Sequence, residues 1–161
     1  MKVLSWNVRG LGKTQTVNRL KNSLRRSNPQ VLFLMETKLN ARRMERVRHM
    51  CGYRFGVDVG SVGSMGGLSI GWKPECDVRL LSYSQFHIDV VIQESETLKR
   101  RFTGFYGRPA ERDRDLSWNL LRQLHSNQSM PLLVAGDFNE IMYSYEKKGR
   151  RIRPERNMVR F

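Results

Sequence analysis

Five apolar residues in a row, Val31-Leu32-Phe33-Leu34-Met35, run directly into a carboxylate, Glu36. Side chains on a strand alternate between its two faces, so a continuous apolar run needs both faces covered. A fold built on this strand must therefore lay further layers over both sides of a sheet. The run is far too short for a bilayer span, which takes roughly 20 apolar residues. No secretory leader is read at the start, because Lys2 precedes only two apolar residues before Ser5.

The rest of the chain reads as elements of both kinds. Lys2–Val8 and Gln30–Met35 are predicted strands. Between them, Val17, Leu20 and Leu24 share one face of a helix that Thr14 or Thr16 caps and Asn28-Pro29 stops. Ala41–Met50 is a short helix ending near Gly52. Tyr53–Val59, Gly67–Trp72, Val78–Ser82, His87–Gln93 and Arg101–Tyr106 suit strands. Ile88, Val90 and Ile92 alternate as in a half-buried antiparallel strand. Gly60–Gly67 is a loop, and it lacks the Gly-Lys-Ser/Thr ending that a phosphate-cradling loop would need. Glu111–Ser126 is helical with Leu116, Leu120 and Leu124 in line, and Pro131–Ala135 is a last buried strand. Helices near both ends with strands between them make an α+β layered fold.

Polar groups recur at the ends of these strands. Asn7, Glu36, Tyr106, Asp137 and Asn139 each close or follow an apolar run. One strand-terminal Asp or Asn is usually a turn former. Two carboxylates, two carboxamides and a tyrosine on rigid supports suit phosphodiester hydrolysis better. Glu36 beside Asn7 offers oxygen ligands to a hard cation such as Mg²⁺. Asp137 would orient or deprotonate the attacking water, while Asn139 and Tyr106 donate to phosphate oxygens.

Charge narrows the partner. The 161 residues hold 29 Lys and Arg against 15 Asp and Glu, a net charge of +14. No acidic residue precedes Glu36. The segment after residue 145 is again basic, so residues 146–161 read as a basic tail on a unit of residues 1–145. Such an excess favours polyanions, nucleic acid foremost. Arg108 and Arg112 are candidate backbone-phosphate contacts, with an exposed charged loop as the alternative. Two cysteines, Cys51 and Cys76, exclude a multi-disulfide scaffold and a four-cysteine zinc site, and read as reduced thiols. Trp6, Trp72 and Trp118 read as core residues rather than base-stacking platforms, and His49, His87 and His125 as structural.

In order along the chain, Ser5-Trp6-Asn7-Val8-Arg9-Gly10, Met35-Glu36-Thr37-Lys38, Gly66-Gly67-Leu68-Ser69-Ile70-Gly71-Trp72, Gly104-Phe105-Tyr106-Gly107 and Gly136-Asp137-Phe138-Asn139-Glu140 resemble the endonuclease/exonuclease/phosphatase superfamily. The likeness is greatest to the apurinic-endonuclease-like domain of plant non-LTR, LINE-type retrotransposons. The resemblance implies a four-layer αββα sandwich, DNase I-like, with the site at one rim of its sheets. It implies a DNA-nicking endonuclease that uses Mg²⁺ or Mn²⁺ and no small-molecule cofactor. Asn7 and Glu36 would hold the metal, Tyr106 would contact phosphate, and Asp137 and Asn139 would serve water activation and the transition state. It also implies a nuclear, otherwise intracellular, location and no membrane partner. Members carry a later Ser-Asp-His motif, which has no counterpart here, so the sandwich is expected to be C-terminally truncated. Two readings stay open: an active nicking enzyme, or an inactive remnant that binds nucleic acid through charge. A lipid head-group substrate is a third, disfavoured by the charge.

Overall fold

The computed structural model describes residues 1–63, 65–126 and 130–140. The basic tail, the proposed boundary at residue 145 and Ser64 of the glycine-rich loop lie outside the described residues. Eight strands form two four-stranded sheets. The first is ordered β1 (Val3–Asn7), β2 (Val31–Met35), β4 (Leu68–Trp72), β3 (Phe55–Val59). The second is ordered β5 (Asp77–Tyr83), β6 (His87–Gln93), β7 (Lys99–Tyr106), β8 (Leu132–Asp137).

Each sheet is antiparallel except for one parallel pair at its edge, β1 with β2 and β7 with β8. A parallel pair needs a long crossover, usually a helix. Helix α1 (Thr14–Ser27) supplies the first, and α3 (Arg114–Ser126), led in by a single 3₁₀ turn at Glu111–Asp113, supplies the second. Helix α2 (Ala41–Met50) packs beside α1. The result is the four-layer sandwich, α+β in class.

The apolar run explains itself here. Val31, Phe33 and Met35 face the second sheet, where they meet Ile88, Val90, Ile92 and Phe102. Leu32 and Leu34 face outward beneath Val17, Leu20 and Leu24 of α1 and Met44 of α2. All five residues are fully buried. Phe33 meets Phe102 edge to face, 6.2 Å between centroids. A Cβ on Gly104 would fall well inside contact distance of the Phe33 ring, so glycine there lets the sheets close.

Three local expectations change. Neither Thr14 nor Thr16 caps α1: Lys13 holds the N-cap position, with no side-chain bond. Strand β6 is buried on both faces rather than half-buried, because its outer face carries Asp89, whose carboxylate is closed over by Arg101 and Thr103. Arg101 also donates to the Leu124 carbonyl of α3, at 2.6 Å. In α3 the leucine row faces the core only in part. Leu116 is half exposed, while Ser117 and Leu124 are buried, and Ser117 accepts the Arg108 N–H at 2.9 Å.

A second buried pair pins the other side. Arg48 of α2 bonds Asp58 of β3 and the carbonyls of Tyr53 and Arg54. Ser69 of β4 donates to the same aspartate at 2.6 Å. Cys51 and Cys76 are free thiols. Trp6 and Trp72 are partly buried against the two cores. No helix among the described residues is long and apolar enough to cross a membrane.

Candidate active site at the rim of the two sheets

The carboxyl ends of both parallel pairs meet at one rim. There β1 and β8, the edge strands of their sheets, lie side by side. Ligands of open sheets with crossover helices gather outside such strand ends. The rim opens into a cleft of about 1070 Å³, lined by Asn7, Arg9, Met35, Asp137 and Phe138 among others.

Asn7 ends β1, and its Nδ2 donates to Glu36 Oε1 and to Asp137 Oδ2, each at 2.9 Å. Its Oδ1 accepts the Arg9 backbone N–H at 3.2 Å, which sets the amide orientation. Tyr106 ends β7, opposite Asp137 in the ladder, and donates to Glu36 Oε1 at 3.0 Å. Asp137 Oδ1 accepts the Asn139 N–H at 3.0 Å. Asn139 Nδ2 donates to the Gly107 carbonyl at 2.7 Å. Five of the seven residues singled out in the sequence thus form one continuous network, with members from both sheets.

Arg108 and Arg112 are not in it. The Arg108 guanidinium lies 3.9 Å from the centre of the Phe86 ring, on the α3 side. Arg112 is almost fully exposed, 3.9 Å from Asp113. Glu140 lines the cleft but is paired with Arg114 at 3.3 Å. Asp137 also lies within β8 rather than after it, since the ladder runs on to the Tyr106–Asp137 pair.

The turns carrying the network are conformationally special. Glu36 and Asn139 have φ of 52°, and Arg9 and Lys38 have φ of 51° and 54°. Non-glycine residues avoid this left-handed region, at about 1–3 kcal/mol each, unless their surroundings over-determine it. The glycine-rich loop provides that support after β2. Thr37 N–H donates to the Gly67 carbonyl at 3.1 Å and Lys38 N–H to the Gly66 carbonyl at 3.0 Å. Gly67, itself at φ 87°, has no room for a Cβ beside the Thr37 hydroxyl. Sequence reading found this loop but not its task, since a loop's docking partner leaves no local pattern. It also missed Met35, whose Sδ faces the Asp137 N–H at 3.2 Å.

Burial, and then the hydrogen bond to Glu36, push the Tyr106 hydroxyl up to about 12, with Asn139 pulling weakly the other way. The tyrosine is therefore a proton-bearing donor throughout the physiological range. The network itself holds two carboxylates and no cation. Both bonds to Glu36 fall on Oε1, and no described residue donates to Oε2. The described residues contain no cluster of three or more His, Cys, Asp or Glu. An all-oxygen set with one or two carboxylates suits a hard dication that keeps several waters. The residues present fit such an ion.

Comparison with known proteins agrees with this fold. The family model described as Endonuclease/Exonuclease/phosphatase family matches residues 4–159. No curated protein matches. Among solved structures, the AP endonuclease LMAP from Leishmania major superposes with a TM-score of 0.70 at 18% identity, covering 93% of this chain and 58% of that one. The 3′-5′ exonuclease NExo from Neisseria meningitidis gives 0.63 at 19%, covering 86% and 58%. TDP2 from D. rerio, complexed with single-strand DNA product, gives 0.61 at 18%, covering 88% and 61%. At these identities the likeness establishes the fold. The chain spans about three fifths of the length of these structures.

Proposed function

This chain belongs to the endonuclease/exonuclease/phosphatase family, and from that premise we propose that it hydrolyses phosphodiester bonds in DNA as the nicking endonuclease of a LINE-type retroelement. The observation that carries the reading is the Asn7 amide bridging Glu36 and Asp137, with Tyr106 closing onto Glu36 from the opposite sheet. The ordered Trp6-Asn7, Glu36-Thr37 and Gly136-Asp137-Phe138-Asn139 motifs support the retroelement assignment, and a nuclear location goes with it. NExo with a product DNA hairpin and TDP2 with single-strand DNA product support DNA as the substrate class.

Each residue has a part. Glu36, with Asn7 beside it, would hold Mg²⁺ or Mn²⁺. When bound, the ion supplies positive charge against the phosphate. Asp137 is fixed on both oxygens, by Asn7 and by the Asn139 N–H, and each oxygen keeps a lone pair for the attacking water's proton. Tyr106 turns its O–H from Glu36 to a phosphate oxygen. Asn139 commits one amide N–H to Gly107 and offers the other to the charge that builds on the phosphate. The left-handed backbones of Glu36 and Asn139 aim both side chains across the rim before substrate arrives.

The test is nicking of supercoiled plasmid with Mg²⁺ or with EDTA, beside Glu36→Gln. Open-circle product that needs both the ion and Glu36 is expected. Nicking by folded Glu36→Gln, or none by folded wild type, overturns the reading.

A further inference from the structure

The far rim of the first sheet carries a second concentration of charge. Lys21 and Arg25 of α1 and Lys73, just after β4, converge on a cavity of about 220 Å³ that Asn28, Cys51 and Tyr53 also line. The register places it away from the active site. Met35 pairs with Leu68 at the site end of the sheet, and Val31 pairs with Trp72 at the other. A strand rise of about 3.3 Å per residue sets these ends roughly 13 Å apart.

Among the described residues, none of the three cations is held in an ion pair. Glu75 does not line the cavity, although its carboxylate lies near enough to act on the Tyr53 hydroxyl. Burial holds the Cys51 thiol above its ordinary pKa, against the pull of Lys21, so no thiolate forms there either. Some of the terminal carbonyls of both helices are already taken: Leu24 by the Asn28 N–H, and Val47, Arg48 and His49 by Cys51, Gly52 and Tyr53. The Lys73 ammonium is held over the Tyr53 ring, 5.2 Å from its centre.

Like charges at i and i+4, as in Lys21 and Arg25, destabilise a helix by about 0.2–0.5 kcal/mol unless an anion compensates. Arg19 and Arg26, exposed on the same helix, lie on its other flank, where Arg26 borders Leu4 and Trp6.

We propose that the Lys21–Arg25–Lys73 pocket binds backbone phosphates of duplex DNA at a place separate from the active rim. Non-specific contacts of this kind hold a substrate without reading its sequence. The identity of the polyanion rests on the DNA-directed reading of the site, but the inference does not depend on catalysis.

The experiment is fluorescence anisotropy of a labelled 30-base-pair duplex, titrated with the full chain over a salt series. Wild type is compared with the triple variant Lys21→Gln, Arg25→Gln, Lys73→Gln. Neutralising three phosphate contacts should lower the slope of log affinity against log salt by about 2.7. The charge-preserving triple variant Lys21→Arg, Arg25→Lys, Lys73→Arg should keep the wild-type slope. An unchanged slope in a neutralised variant whose thermal melt matches wild type overturns the inference. Competition by inorganic phosphate at constant ionic strength, with wild type only, assigns the pocket to a free anion and also overturns it. Plasmid nicking read in parallel separates the two proposals. A chain that does not nick but loses the slope keeps this inference alone, and one that nicks with an unchanged slope keeps only the other.

Discussion

Tyr106 and Glu36 stand on different sheets, yet the tyrosine hydroxyl donates to Glu36 Oε1 at 3.0 Å. The bond crosses the seam of the sandwich at the rim of the candidate site, so it joins the two halves of that site as well as polarising one carboxylate. Tyr106→Phe should lower the nicking rate by about 10²-fold, in line with loss of one oriented donor. It should reduce unfolding free energy by about 1 kcal/mol, the net worth of one such bond. Single-turnover nicking and a urea titration read the two effects separately.

Tyr53 is held by the same kind of burial, its hydroxyl donating to the Pro29 carbonyl at 2.7 Å, and its pKa is likewise pushed up to about 12. Both groups ionise more easily in the unfolded chain, near the ordinary value of 10. Their contribution to stability is whole below about pH 10 and is lost as pH rises towards 12. Thermal melts between pH 9 and 12 should show this fall, and Tyr53→Phe should make it shallower.

His87 titrates in the opposite sense. It is buried between Ser82 and Ser84, at 3.0 and 2.8 Å, and burial lowers its pKa below 6.5. Below pH 6.5 the unfolded chain takes up the proton first, so the stability held by neutral His87 declines as pH falls through the folded-state value. Urea titrations from pH 7.5 to 5 should record that decline, and His87→Gln should flatten it.

Removing one partner of the Asp89–Arg101 pair leaves a charge buried without compensation. Both side chains are under 5% exposed. Asp89→Ala should destabilise by about 3–5 kcal/mol. Arg112→Ala, on an 88% exposed side chain, should change stability by less than about 0.5 kcal/mol. Equal effects in chemical denaturation would contradict the packing described.

Gly104→Ala forces a methyl group against the Phe33 ring at the sheet interface. Overpacking of this sort destabilises by about 1–3 kcal/mol. Pairing it with Phe33→Leu should recover part of the loss, which a double-mutant cycle measures.

Much of this protein is legible in its sequence because the signals are local. The run Val31–Met35 demands two covering layers and receives them, and Ala41–Met50 and His87–Gln93 form with the boundaries that periodicity predicts. The polar residues at strand ends are legible for the same reason: a strand followed by Asn, Glu or Asp is visible in a few letters. Other features depend on partners distant in sequence. The end of α3 is tied to the second sheet by Arg101, which donates to the Leu124 carbonyl, and β6 hides a charged face because Asp89 meets Arg101 there. The left-handed turns at Glu36 and Asn139 are set by what docks on them, Gly66 and Gly67 in the first case and Gly107 in the second. Composition and residue order determined by themselves the fold class, the strand carrying each candidate group and the basic character. Only the tertiary structure decided which of those groups share a network. Asn7 and Asp137 are 130 residues apart, and no local propensity brings their 2.9 Å contact about. It comes from two parallel strand pairs packed edge to edge with their carboxyl ends at one rim.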